Sequence, residues 1–423
     1  MKSENRNLLY LLSIILLLNK SIHAEESYDL SLAINQALSN NKELAYARLE
    51  IERAKTRFRW SGRLPNPRLE MQGFSDQFGL NEGEHSLQLS LTQSYPRTAV
   101  LNSETTLNYR QIALAEAEVR TKEQDLASRV AGDLLKLVAT QHFLEITKEH
   151  IELDRAIIRS LNDFIERGEA SRLDLAQAEL KLRHLYQQER RQIAEIQQHR
   201  LHLKQLLGLP TDQQVTFEYS LDLPSEKPTT STEREQILRS RGEHQIALSE
   251  ILASDSALDH EKAKSREPIQ WKAFLAEERI IDEPIGAERN TFIGVGVSIP
   301  LPFRQKNEEG IEQAKINKRA AEKALETLKF NILSEYHAAQ RFIADNWEIA
   351  HIANGEILKL AKKSYNDYQL AYLDGEVSLL QVQRALEQLH ELEEEALKAS
   401  VLYHQSQIQL QKITGTLLSP AEQ

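Results

Sequence analysis

The sequence predicts a mainly α-helical fold with a small β part, built by an internal tandem duplication. Three observations lead there. All eleven prolines sit at 65, 67, 96, 210, 224, 228, 268, 284, 300, 302 and 420, which leaves 97–209 and 303–419 without any. Leu137, Leu144, Ile151, Ile158 and Ile165 fall seven residues apart, with Leu126, Val130 and Leu134 upstream on the same stripe. Two short segments, 85–93 and 291–299, instead alternate with a period of two.

Taken in order, the chain begins with Lys2 and Arg6, an apolar run from Leu8 to Leu18, and Asn19-Lys20-Ser21-Ile22-His23-Ala24. A basic head, a short apolar core and a small residue before an acidic stretch predict a secretory signal peptide over 1–24. The apolar run is well short of the roughly 20 residues a spanning helix needs. The chain has no cysteine, which excludes disulfides, thiolate metal sites and a lipid-modified cysteine. Net charge is −11; residues 1–24 carry Lys2, Arg6 and Lys20 against Glu4, so without them it is −13. An acidic chain without a basic cluster argues against nucleic acid as a partner.

Proline in a helix interior costs about 3 kcal/mol, so the proline-free runs read as helix. Long helices are expected over 97–166 and 304–373. A single helix from Arg97 to Arg167 would measure about 105 Å at 1.5 Å per residue. A seven-residue stripe sustained over that length is a seam for another helix. Arg167-Gly168-Glu169 and Asp374-Gly375-Glu376 have the chemistry of helices that stop and turn back. Returning helices then run over about 170–207 and 376–414, ending at Gly208 and Gly415. Shorter helices are expected over 28–63 and 233–265, with a Pro/Ser/Thr-rich loop between 209 and 232.

The two halves correspond. Pro67 matches Pro268 at an offset of 201, and Leu87–Pro96 matches Ile293–Pro302 at 206. Gly168, Glu169, Ser171, Leu173 and Ala178 match Gly375, Glu376, Ser378, Leu380 and Ala385 at 207, as Gly208 matches Gly415. Preserved order with slowly drifting offsets marks a duplication. It divides the chain into a first repeat over 25–210, a linker over 211–232 and a second repeat over 233–423.

Each repeat carries one predicted hairpin. In 85–93, Leu87, Leu89 and Leu91 share a face opposite Gln88, Ser90 and Thr92; in 291–299, Ile293, Val295, Val297 and Ile299 oppose Gly294, Gly296 and Ser298. Partner strands are expected over 68–75, with Leu69 and Met71 outward, and over 269–275, with Ile269, Trp271 and Ala273 outward. One oily and one polar or small face suits a strand between lipid and a lumen. Four strands cannot close a barrel, and an open edge in lipid is forbidden. Two copies give eight strands, a barrel filled by its own side chains; three give twelve and room for water. The expectation is a homotrimer with a 12-stranded β-barrel. Below it stands a long α-helical barrel in which 170–207 stacks on 233–265 and 376–414 on 28–63.

The segments Ser61-Gly-Arg-Leu-Pro-Asn-Pro-Arg-Leu69 and Gly294-Val-Gly-Val-Ser-Ile-Pro-Leu-Pro302, with the duplicated helical hairpins, resemble the TolC-like outer-membrane efflux proteins. Leu-Pro-Asn-Pro and Ser-Ile-Pro-Leu-Pro resemble most the outer-membrane subunits of cobalt–zinc–cadmium cation efflux systems. The resemblance covers the mature chain. It implies an outer-membrane protein whose helices lie in the periplasm, a trimeric exit duct for heavy-metal cations. Its partners would be a periplasmic adaptor protein and an inner-membrane pump of the resistance–nodulation–division type. By the same resemblance, Gly168, Glu169, Ser171, Gly375, Glu376 and Ser378 are candidate adaptor contacts at the periplasmic tips. An acidic residue six positions after each tip glycine would line a pore constriction: Asp174 in the first repeat, but Gln381 in the second, with Arg384 three further on. That departure replaces a purely acidic ring with a possible Asp174–Arg384 latch.

Several readings stay open. His199 and His202 share a helix face, but without a carboxylate fixed beside them a solvated surface outweighs a metal site. No phosphate loop, His-Glu-x-x-His or nucleophile turn appears, so neither an enzyme nor a cofactor is expected. A drug-efflux or type I secretion component would have the same fold. A poreless periplasmic coiled-coil scaffold would not need the alternating segments.

Overall fold

The computed structural model describes residues 26–76, 83–168, 171–229, 232–282 and 286–418. The expected signal peptide, 1–24, lies outside them. Among the described residues no helix is long and apolar enough to cross a membrane. The chain forms two compact units, each drawing on both halves of the sequence.

The first unit comprises residues up to Lys42, Glu123–Glu233 and Glu335 onward. Strand β1 (Glu26–Tyr28) leads into helix α1 (Leu30–Asn40), capped by the Asp29 carboxylate accepting from the Leu32 N–H at 2.7 Å. Such a side chain satisfies an amide that the first helical turn leaves without a partner. Helix α2 (Lys42–Trp60) follows at once, so the expected 28–63 helix is broken. The break is Asn41, extended and buried, whose side-chain amide donates to the Leu206 carbonyl at 2.9 Å. Gly208 lies against the backbone of Asn40 with φ +68°, where a β-carbon would overlap that carbonyl.

The long helix α3 (Thr98–Arg167) and the returning helix α4 (Arg172–Leu207) match the expected hairpin within two residues. Strand β4 (Val215–Phe217) pairs in parallel with β1, a two-stranded sheet where only a loop was expected. The segment after it is tied down by Trp347, whose indole N–H donates to the Pro224 carbonyl at 2.9 Å.

Helix α5 (Arg234–Ser240) and helix α6 (Gly242–Lys264) replace the single helix expected over 233–265, with Arg241 extended between them. Helix α7 (Glu308–Ile352) passes through one π turn at Ala353–Ile357 into helix α8 (Leu358–Leu373). At the turn the Asn354 amide donates to the Ala350 carbonyl at 2.8 Å and to Ser400 Oγ at 3.0 Å. Ser400 lies on helix α9 (Leu379–Thr414). Within the first unit α3, α4, α8 and α9 bury a shared core that includes Ile157, Leu161, Ala178, Tyr365, Leu386 and Leu389.

The second unit comprises Glu43–Lys122 and Arg234–Ser334. It holds a four-stranded antiparallel sheet of β2 (Arg68–Ser75), β3 (His85–Tyr95), β5 (Ile269–Asp282) and β6 (Gly286–Ser298), in that order. Strand β5 runs seven residues past the expected end at 275. The two hairpins pair with each other through β3 and β5. Strands β2 and β6 are edges, and the sheet is open in the single chain.

Candidate functional site

The register of the sheet sorts its side chains into two chemically different faces. Leu69, Leu91, Ala273 and Val295 form one cross-strand row, and Met71, Leu89, Leu275 and Ile293 form the next. A third row below them sets Gln93 beside Trp271 and Val297. Side chains alternate along a strand, so all of these point the same way. Ile293 is 86% exposed and Val295 82%, and Leu69, Met71 and Trp271 are more than half exposed. An apolar surface of this extent is stable only when something other than water covers it.

The belt has ends. Trp271 and Tyr95 stand at one, and the row of Glu277 and Thr291, followed by Arg279 opposite Arg289, closes the other. Six residues separate Trp271 from Glu277, about 20 Å along the strand at ~3.3 Å per residue. Aromatic rings at one border and charges at the other suit the boundary between hydrocarbon and water.

The opposite face is polar: Arg68, Thr92, Lys272 and Gly296 make one row, and Glu70, Ser90, Phe274 and Gly294 the next. It is also the concave side, with a groove lined by Arg68, Glu70, Thr92, Lys272 and Ser298. Lipid outside and water inside is the arrangement these faces fit once the edges β2 and β6 find partners.

The helical hairpins turn at the expected glycines. Gly168 has φ +77° and Gly375 φ +79°, a left-handed conformation that glycine adopts without the steric cost of a β-carbon. The Glu376 N–H donates to the Ala371 carbonyl at 2.9 Å, closing the second turn. Ser171 caps α4 by accepting from the Leu173 N–H at 3.1 Å. Ser378 caps α9 in a reciprocal box, its own N–H donating to Gln381 Oε1 at 2.8 Å. Gln381 is thus engaged in capping. Gly168, Ser171, Gly375, Glu376 and Ser378 are all exposed, whereas Glu169 lies outside the described residues.

Asp174 is half-buried in the first turn of α4, and Arg384 is exposed on α9. Within one chain, no ion pair joins them among the described residues. His202 is exposed, as expected of a solvated helix face, but it has a carboxylate partner: its Nδ1 lies 2.6 Å from Asp133 Oδ2, on the facing helix α3. Among the described residues no group of three or more His, Asp or Glu side chains is placed to hold a metal ion.

Sequence reasoning passed over a buried polar cluster in the first unit. His150 Nε2 lies 2.9 Å from Glu393 Oε2, and Lys362 is 3.2 Å from the other oxygen of Glu393. Hydrogen bonding to His150, opposed by burial, holds the Glu393 carboxyl below its ordinary value. Burial raises Asp154 in spite of Lys181 beside it.

An open antiparallel sheet with one apolar and one polar face leaves two edges, β2 and β6, that need partner strands wherever water is absent. Residues 33–209 match the family described as outer membrane efflux protein. No curated protein sequence matches the chain. Among solved structures, the fold is similar to that of CusC, in crystals described as showing conformational changes that accompany folding and transmembrane channel formation. The TM-score is 0.72 at 19% identity, over 91% of this chain and 92% of that one. The open state of the MtrE outer membrane channel of Neisseria gonorrhoeae gives a TM-score of 0.73 at 15% identity, over 91% and 88%. The CmeC outer membrane channel of Campylobacter jejuni gives 0.70 at 17%, over 93% and 87%. At these identities the likeness is one of fold.

Proposed function

We propose that the chain is a protomer of an outer-membrane efflux conduit, exported by its leader at 1–24 and assembled as a homotrimer. The observation that carries this is the open four-stranded sheet with an apolar face ending in Trp271 and Tyr95. Three copies joined edge to edge, β6 to β2, supply twelve strands around an aqueous lumen lined by the polar face. The match over residues 33–209 and the fold of the solved channels support the same reading. As a passive duct the protein catalyses nothing. Its turns at Gly168 and Gly375 face a periplasmic adaptor that joins it to a resistance–nodulation–division pump.

The cargo we propose is heavy-metal cations, on the strength of Leu64-Pro-Asn-Pro67 and Ser298-Ile-Pro-Leu-Pro302. Two experiments test these levels separately. Heat-modifiable trimers in the outer-membrane fraction are expected; protein found only in the soluble periplasm would overturn the conduit. A deletion strain should be sensitive to one or more of Co, Zn, Cd, Ni, Cu and Ag salts. Sensitivity to dyes and detergents alone would keep the conduit and move its cargo to organic compounds.

A further inference from the structure

The buried face of α3 in the first unit carries Thr147, His150, Asp154, Ile157 and Leu161 at helical spacing. Polar groups thus occupy three positions of a seam that apolar residues occupy elsewhere. His150 is 2% exposed, Asp154 3%, and His390 on α9 7%. The rings of His150 and His390 stack with centroids 3.4 Å apart and planes 16° from parallel. Only His150 has a carboxylate, Glu393, on its Nε2; the Nε2 of His390 has no hydrogen-bond partner. Lys181 on α4 faces the same space, 3.6 Å from Asp154 and 3.6 Å from Glu387, and makes no hydrogen bond there. From α8, Lys362 reaches Glu393, and the Tyr365 hydroxyl accepts from Gln369.

We propose that the stacked His150–His390 pair is an acid-sensitive clasp between the α3–α4 hairpin and the α8–α9 hairpin, holding them together near neutral pH and releasing them on acidification. Two imidazoles in face-to-face contact cannot both be charged, since like charges that close in a buried site repel strongly. A proton on His390 would also have no acceptor and would face the Lys181 ammonium. Burial first, then the charges of His150 and Lys181, push His390 down to about 2.

The direction follows from linkage. A histidine freed from the packed seam takes its proton near pH 6.5, whereas the packed one does not. The separated state therefore binds more protons below that pH. The packing contribution of neutral His390 is complete above about pH 6.5 and is lost as the pH falls toward 2. Within this range the ratio of separated to packed hairpins rises by up to about tenfold per pH unit. Lower down the carboxylates intervene in opposite senses. Asp154, raised by burial, takes up its proton in the packed state and favours packing; Glu393, held low, favours packing only while charged. The useful window is about pH 5 to 6.5, between the ordinary carboxylate and imidazole ranges.

The clasp stands near the hairpin ends. His150 precedes Gly168 by 18 residues and Glu393 follows Gly375 by 18, each about 27 Å at 1.5 Å per residue. Its release is a property of the hairpins and does not depend on what the lumen conducts.

The absence of cysteine makes the test direct. Asp163→Cys on α3 and Asp367→Cys on α8, both exposed, give one spin-label pair per chain in the assembled full-length protein, diluted with unlabelled chains. Between pH 7.5 and 5.5 the longer-distance population should grow by up to about tenfold. His390→Phe keeps a stacked ring and removes the proton site, so its distances should not respond to pH. If that variant does not assemble, His390→Gln serves the same purpose. Unchanged distances in the native sequence, or an equal response in the non-titrating variant, would overturn the clasp.

Discussion

The ring of Phe274 lies over Gly294, its partner across the β5–β6 ladder, and fills the space a β-carbon would need. The neighbouring Gly296, on the same face, has open space where its β-carbon would be. Gly294→Ala must therefore displace the Phe274 ring, an overpacking cost of about 1–3 kcal/mol, whereas Gly296→Ala should be close to neutral. Urea unfolding of the assembled protein checks this, with a lowered midpoint expected only at position 294.

His404 on α9 sits between two tyrosine rings, Tyr219 at 5.6 Å and Tyr403 at 5.1 Å. Burial lowers its affinity for a proton in the folded chain. Its neutral form supports the fold above about pH 6.5, and that support fades as the pH falls below the unfolded value. His404→Phe should flatten this part of the stability–pH profile and raise the denaturation midpoint at pH 5.5 relative to the native sequence. A midpoint difference independent of pH would show that His404 only packs.

The tip glycines act through backbone conformation alone, because neither Gly168 nor Gly375 has anything within 4 Å of a β-carbon position. Replacing either by alanine should cost about 1–2 kcal/mol for the left-handed geometry. Ser378→Ala should cost about 0.5–2 kcal/mol by removing a helix cap. Hydrogen exchange localised to 371–382 should rise in Gly375→Ala and Ser378→Ala, and exchange at the sheet should not.

What the sequence made legible and what it hid follow from period and distance. Leu87, Leu89 and Leu91 announced their strand because apolar residues at every second position put one oily face on it. The register then set Leu89 beside Met71 and Leu275, and Leu91 beside Leu69 and Ala273. Strand β5 was cut short because Glu277, Glu278 and Arg279 lie past the apolar belt and carry no oily signal. The parallel pair of β1 and β4 joins three-residue strands from distant parts of the chain, too short for any pattern. Asn41 and Asn354 break helices through bonds to other helices, which propensity cannot register. Of the predicted α3 stripe, Leu126, Val130, Leu134, Leu137 and Ile151 are buried, whereas Leu144, Ile158 and Ile165 are half-buried. The more buried line includes His150 and Asp154, whose polarity disguised it.

The constriction remains to be tested at Asp174 and Arg384, six and nine residues beyond the two tip glycines, Gly168 and Gly375. Within one chain they form no ion pair among the described residues, and Gln381 is engaged in capping Ser378. A latch through these residues, which we propose for the assembled conduit, would have to form between neighbouring chains. Exposed pairs of this kind contribute about 0–1 kcal/mol each, so three copies of such a latch would bias a tip toward closure without locking it. Asp174→Ala combined with Arg384→Ala should raise single-channel conductance in planar bilayers. High salt should narrow the difference from the native channel, since screening weakens exposed pairs. Equal conductance at low salt would remove both residues from the gate and leave Asp174 as a helix-terminal charge favoured by the α4 dipole.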